Sequence, residues 1–271
     1  MKLVAMLRTK NTGPSFKDCL SRLSALADEI VILDNGSTDD TLEVCRTFPK
    51  VVQVLLRNDT GDYHEGRDMR LMLDEAKKRN PDWILFVCSD EVFEKNMTRA
   101  DIDRYMRGKY DRIAFRMCNF WLSTKYCRFD RDWFRYTLRT QRMMWRNLPE
   151  AFFEDRTIHA ASLRGIESPV YTSPFRIKHY GYAFPEDIVE KTRLYRSIDK
   201  DRNQYKYNSG DPESEMNKAH ILLYPFLEFG NSHLNYLYIV LYRFVCDILL
   251  TAVNFKRKYL RGLKVFPGVV Q

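Results

Sequence analysis

The chain has 271 residues, 45% of them hydrophobic and 30% charged, with a formal charge of +8 from 44 basic and 36 acidic side chains. This length and apolar content fit a globular protein of one large or two small domains and exclude a disordered chain. The positive charge suits an acidic partner such as a nucleotide, nucleic acid or an anionic lipid and does not choose between them. Six cysteines with no C-x-x-C pair exclude a disulfide framework and read as reduced thiols of a cytoplasmic protein.

In chain order, Leu3 to Leu7 reads as a short buried strand, an apolar run too short for a signal peptide. Arg8 to Pro14 is a polar turn, and Pro14 is placed to start a helix whose apolar face carries Phe16, Cys19, Leu20, Leu23 and Leu26. Glu29 to Leu33 is the second strand. It runs into Asp34-Asn35-Gly36-Ser37-Thr38-Asp39-Asp40-Thr41, where Gly36 permits a tight turn and Ser37 or Thr38 is expected to cap a helix through Cys45. Val51 to Leu56 is a third strand, and His64 to Arg79 a helix turning Met69, Met72, Leu73 and Ala76 inward. Ile84, Leu85, Phe86 and Val87 leave no wet face, so the run from Trp83 is a strand covered on both sides, with Asp90 and Glu91 at its carboxyl end. Strand and helix alternate four times, which predicts an α/β fold with a parallel sheet.

Beyond it, Thr98 to Asp101 has the pattern of a capping box. Arg112 to Phe120 alternates and predicts a half-exposed strand; Leu138 to Trp145 reads as another, inside an arginine- and aromatic-rich stretch from Tyr126 to Arg146. Phe175 to Lys178 is a last strand, ending at His179-Tyr180-Gly181-Tyr182, and Pro185 starts a polar helix to about Asp201. Leu234 to Val253 is long and apolar but carries Arg243 and Asp247, which argues against a spanning helix. With the basic residues that follow, it fits an amphipathic helix on an anionic membrane surface, or a packing or homodimer contact.

Ligands of open α/β sheets bind beyond the carboxyl ends of the strands. Asp34 stands at one such end and is able to accept from a base N–H or a ribose hydroxyl, or simply to hold an Asx turn. Asp90, with Glu91, offers carboxylate oxygen to Mg²⁺ or Mn²⁺, or forms an acid pair at a helix start. His179 is a candidate metal ligand or diphosphate donor, and otherwise a structural histidine. Arg67 suits phosphate or base, or is a solvated helix arginine; Arg8 and Asn11 follow the first strand and join it as candidate nucleotide contacts. Glu154 and Asp155, shortly before His159, are candidate general bases.

Ile32 to Thr41 matches the D-[DN]-G-S-x-D-x-T hallmark of glycosyltransferase family 2, and the chain resembles that family over about residues 3 to 200. Gly66-Arg67-Asp68 resembles its A-R-N helix start, Trp83 to Glu94 its W-I-L-x-L-D-A-D-E-x-F segment, and Arg142 to Arg146, His159 and His179 to Tyr182 a bacterial polysaccharide or lipopolysaccharide-type subgroup. The resemblance implies a GT-A fold: a Rossmann-like nucleotide-binding half with a mostly parallel central sheet (1–115), an acceptor half (116–200) and a helical C-terminal extension (201–271). It implies a metal-dependent, inverting transfer from a nucleotide diphosphate sugar to a glycan or lipid-linked acceptor. Asp34 would contact the base, Arg67 the nucleotide or phosphate, Asp90 and His179 a Mn²⁺ or Mg²⁺ ion, and Asp155, or next Glu154, the acceptor's proton. The Tyr126–Arg146 stretch lies where that fold builds its acceptor site. The chain departs from the pattern at Thr12, which replaces a glutamate after Asn11, at Cys88, which replaces the first acid of D-x-D, and at Ala160, which replaces a glutamate after His159. An inactive nucleotide-sugar-binding relative and a nucleotidyltransferase are the rival readings; no nucleic-acid motif is present.

Overall fold

β1 (Leu3–Thr9), β2 (Glu29–Asp34) and β4 (Trp83–Cys88) are buried almost end to end, the condition of strands covered on both faces. The computed structural model describes residues 1–57, 63–129, 140–157, 160–198 and 222–225, with Phe244 and Ile248 beyond them. Alternate residues of the three strands serve two cores. Leu3, Ala5, Leu7, Ile30, Ile32, Trp83, Leu85 and Val87 face α1 (Ser15–Leu26) and α4 (Arg99–Arg107). Val4, Met6, Val31, Leu33, Ile84 and Phe86 face α3 (Glu65–Lys77), through Met69, Met72, Leu73 and Ala76.

These strands belong to an eight-stranded sheet of order β3-β2-β1-β4-β8-β6-β11-β5. β3 (Val51–Leu56), β2, β1 and β4 run parallel, as the alternation predicts. β8 (Thr140–Arg146) lies antiparallel between β4 and β6 (Arg112–Asn119), and β11 (Val170–His179) is parallel to β6. β5 (Glu91–Phe93) closes the edge antiparallel to β11. The whole is an α/β fold with a large, mostly parallel sheet, as the resemblance implies.

β6 is buried along its length rather than half-exposed. Ile113, Phe115 and Met117 enter the first core, while Cys118 on the other face packs with Phe120, Cys127 and Ala183. Cys127 lies on β7 (Tyr126–Phe129), which pairs antiparallel with β12 (Leu222–Pro225). β9 (Phe152–Phe153) and β10 (Leu163–Arg164) form a separate pair. The box at Thr98 forms as expected, Thr98 Oγ1 and Asp101 exchanging bonds with each other's backbone N–H. α2 (Thr41–Arg46) starts later than expected and is not capped by Ser37 or Thr38, whose side chains are engaged by Asp34 and Asn11. α5 (Pro185–Ile198) follows β11.

The chain divides into two compact units, Met1–Glu228 and Phe229–Gln271. Leu222–Pro225, within the expected helical extension, is a strand. Residues 130–139 of the Tyr126–Arg146 stretch and most of the Leu234–Val253 segment lie outside the described residues, as does His159. Among the described residues no helix is long and apolar enough to cross a membrane.

Candidate active site at the carboxyl edge of the sheet

Strand register brings the candidate residues together. In the β1–β2 ladder Thr9 stands opposite Asp34, and in the β1–β4 ladder Arg8 stands opposite Cys88. Both are the last rungs of parallel pairs, so Arg8, Asp34 and the turn after Cys88 share one edge. β11 delivers the rest: His179 is in register with Glu91, and Tyr180 N–H donates to the Asp90 carbonyl at 2.8 Å.

On the β1–β2 side, Asp34 is 1% exposed and holds its own turn. Its Oδ1 accepts from the N–H groups of Gly36 (3.1 Å) and Ser37 (2.9 Å), and its Oδ2 from the Ser37 hydroxyl. Gly36 sits at φ 81°, where a Cβ would be strained. The turn is locked to the β1 loop. Asn11 N–H donates to Ser37 Oγ at 2.8 Å, Asn11 Oδ1 accepts from Thr38 N–H at 2.8 Å, and Thr12 N–H donates to Thr41 Oγ1 at 3.0 Å. Asp34 thus forms an Asx turn at the carboxyl end of β2. Asn11 braces the loop pair, and Thr12 bonds Thr41 in the place of the expected glutamate.

Beneath this edge is a cluster that sequence reasoning missed. Asp68 is fully buried; it accepts from Asn35 Nδ2 at 2.9 Å and from Arg57 Nη1, with Arg8 Nη1 at 4.0 Å. Arg8 also donates to Tyr63 Oη at 2.9 Å. Burial works against the Arg8 charge, but Tyr63, Glu65 and Cys88 outweigh it and the guanidinium pKa is pushed up. Arg67 is half-buried in the first turn of α3, its N–H donating to His64 Nδ1 at 3.2 Å. The α3 start is pressed onto residues 154–157: Glu65 N–H donates to Thr157 O and Gly66 N–H to Arg156 O.

On the β4–β11 side, Asp90 Oδ2 lies 2.8 Å from Lys191 Nζ and 3.3 Å from His179 Nε2. Burial raises the Asp90 pKa, yet Lys191 and then His179 overcome that and hold it well below the usual carboxylate range. His179 Nδ1 is 2.7 Å from Asn119 Oδ1, which assigns the Nδ1 proton and leaves Nε2 toward Asp90. A nitrogen lone pair and a carboxylate oxygen at this separation are reconciled by a proton or a metal ion between them. Gly181 makes room: a Cβ there would overlap Lys191 Nζ and Asp90 Oδ2 and come within 2.8 Å of His179 Nε2. The ligand atoms of Cys88, Asp90 and Glu91 lie within 4.8 Å of one another, and Glu91 Oε2 accepts from Cys88 N–H at 2.9 Å. Carboxylate oxygen with one imidazole fits Mn²⁺ or Mg²⁺, and Glu91 supplies an acid beside Cys88 where the D-x-D pattern has lost one.

Lys191 of α5 was not singled out by sequence. It points back from a charged helix, with its ammonium 4.8 Å from the centre of the Tyr182 ring, which stacks on Trp121 at 5.8 Å. The two candidate bases are engaged elsewhere. Glu154 pairs with Arg156 (2.8 Å) and Arg164 (3.2 Å), and Asp155 with Arg70 (2.7 Å) and His64 (3.5 Å). Asp155 is the more exposed, at 59% of its side chain against 30%.

Residues 6–164 match the family model of glycosyl transferase family 2. Uncharacterized proteins of Mycobacterium tuberculosis and Mycobacterium bovis are each 30% identical over 123 residues, covering 44% of this chain and 30% of the relative. The chain thus spans less than a third of the length of the curated relatives it matches. Among solved structures, Staphylococcus aureus TarS 1–349 in complex with UDP-GlcNAc aligns at 18% identity over 72% of this chain and 65% of that one, with a TM-score of 0.45. A mannosyltransferase from Pyrobaculum calidifontis, in complex with GDP-Man and Mn²⁺, aligns at 12% identity over 79% and 67%, with a TM-score of 0.44.

Proposed function

Because the chain belongs to glycosyltransferase family 2, we propose that it moves a sugar from a nucleotide diphosphate sugar to a glycan or lipid-linked acceptor, with a divalent cation held by Asp90 and His179. The observation that carries the reading is the convergence of Asp90 and His179 around Gly181, on the sheet edge that also presents Arg8 and Asp34. The nucleoside lies against Asp34 and its turn, with Asn11 fixing the loop and Arg8 and Arg67 supplying positive charge. The diphosphate lies toward Asp90.

The bond from the anomeric carbon to the diphosphate oxygen breaks, and one from that carbon to the acceptor oxygen forms with inversion. Charge grows on the leaving diphosphate, and positive groups fixed before reaction stabilise it without reorganisation. Bound Mn²⁺ or Mg²⁺ supplies Lewis-acid stabilisation of that charge. The acceptor's proton goes to a carboxylate; Asp155 is our first candidate, being the more exposed, and Glu154 the second. Asp155 is free for this only if its pairing with Arg70 loosens when acceptor binds.

The test is donor turnover with Mn²⁺, across UDP- and GDP-sugars, by wild-type protein and Asp90→Asn. We expect the variant to lose at least about a hundredfold in kcat/KM, the scale seen when a group stabilising transition-state charge is removed. Equal turnover in saturating metal would remove Asp90 from the site, and absence of turnover and hydrolysis by the wild type with every donor would favour the inactive relative.

A further inference from the structure

Two groups converge on one oxygen. Asp90 Oδ2 has Lys191 Nζ at 2.8 Å and His179 Nε2 at 3.3 Å, and the space between them is so restricted that residue 181 has room for no Cβ. Under the reading above, this oxygen is also a cation ligand. An ammonium and a dication on that one oxygen repel each other strongly in a partly buried site, so each weakens the other's hold on it. His179 is positioned by Asn119, whereas the Lys191 ammonium is carried on a flexible four-carbon stem and lies 4.8 Å from the centre of the Tyr182 ring. Lys191 is therefore the partner able to leave. Its new position is constrained by α5, where Asp187 stands one turn earlier, and by the negative charge that a diphosphate brings to the same edge.

We propose that Lys191 is a diphosphate-binding residue that competes with the divalent cation for Asp90: it holds Asp90 Oδ2 in the cation-free protein and passes to the donor's diphosphate when the cation takes that oxygen. This rests on the proposed function. It ties metal binding to donor binding through one side chain, since Lys191 gains a phosphate partner only after giving up Asp90.

The test uses the full chain, stripped of metal with EDTA, and calorimetric titration of Mn²⁺ alone into wild type, Lys191→Met, Lys191→Gln and Asp90→Asn, with circular dichroism as the check of folding. The two lysine variants should bind Mn²⁺ about tenfold more tightly than wild type, having lost the competing charge, and Asp90→Asn should bind it at least about tenfold more weakly. Titrated next with UDP and with GDP in saturating Mn²⁺, the lysine variants should bind whichever nucleotide the wild type binds about tenfold more weakly. Unchanged or weakened Mn²⁺ affinity in the folded lysine variants overturns the competition, and unchanged nucleotide affinity overturns the diphosphate contact; both leave the proposed function standing if Asp90→Asn still loses Mn²⁺. Mn²⁺ binding that is indifferent to Asp90→Asn, or absent from wild type, overturns this inference and the metal assignment beneath it.

Discussion

Asp68 shows how much of a site's strength sits in a residue that touches no ligand. Its carboxylate is fully buried and shared by Arg57, Asn35 and the nearby Arg8, which come from the end of β3, the β2 turn and the end of β1. A buried carboxylate repays its desolvation only through such partners, and taking one member from a buried charge cluster costs about 3–5 kcal/mol. Asp68→Ala should therefore lower the unfolding free energy in urea by about that amount; a loss below about 1 kcal/mol would mean that the three loops hold together without it. Sequence could not single it out, because an acid in the first turn of a helix is an ordinary complement to the helix dipole. Lys191 was hidden in the same way, in a helix opening Pro-Glu-Asp-Ile-Val-Glu-Lys that reads as a solvated face. Asp34, Asp90 and His179 could be placed from sequence because each stands at or just past the carboxyl end of a strand, a position that an α/β sheet puts on one edge. Of the two readings sequence left open at Asp34, turn former or ligand contact, the structure shows the first: the carboxylate holds the Gly36–Ser37 turn at the carboxyl edge of the sheet.

Among the elements, the start of α3 is the joint between the carboxyl edge of the sheet and the segment bearing Glu154 and Asp155. Gly66 makes it: its N–H reaches Arg156 O at 2.8 Å, and a Cβ would overlap the Glu154 carbonyl oxygen and lie 2.6 Å from Arg156 N. Helix propensity alone predicts that Gly66→Ala stabilises the protein by about 1 kcal/mol. The close approach predicts the reverse, a loss of about 1–3 kcal/mol, because the opposing atoms are backbone and cannot swing aside. A thermal melt decides by sign; a raised midpoint would show that residues 154–157 move away freely. The parallel elements were legible because strands covered on both faces must be apolar at every position. β6 and β8 were less so. Alternation at Arg112–Asn119 looks half-exposed, yet Arg116 is 3% exposed within the sheet, and no periodicity reveals that β8 runs antiparallel between β4 and β6. The cap of α2 was misplaced because Ser37 and Thr38 are cap-forming residue types whose partners, Asp34 and Asn11, outcompete the helix.

At the scale of the molecule, net charge and the site act together as pH falls. The chain starts at +8, and protonating carboxylates adds positive charge and self-repulsion. Asp90 and Asp187 respond in opposite directions. Burial raises the Asp187 pKa, Lys191 offsets part of that, and Asp90 adds to it, so its net shift is upward. Ionised Asp187 is thus a cost to the fold, relieved as acid protonates it. The Asp90 pKa is depressed, so its ionised form stabilises the fold. That contribution is complete above the ordinary aspartate value of about 4 and is lost as pH falls from there through the depressed value. Asp90→Asn removes the contribution and leaves Lys191 and His179 facing each other, so in EDTA at pH 7 the variant should be less stable, by on the order of 1 kcal/mol or more. The difference from wild type should shrink steadily below about pH 4, because protonated wild-type Asp90 no longer differs in charge from asparagine. Thermal midpoints of the two proteins across that range measure it. A difference that is constant with pH would assign the effect to packing rather than charge. A variant more stable than wild type at pH 7 would mean that desolvation of Asp90 outweighs its pairing with Lys191 and His179, and that this corner of the fold keeps an aspartate for its chemistry at the expense of stability.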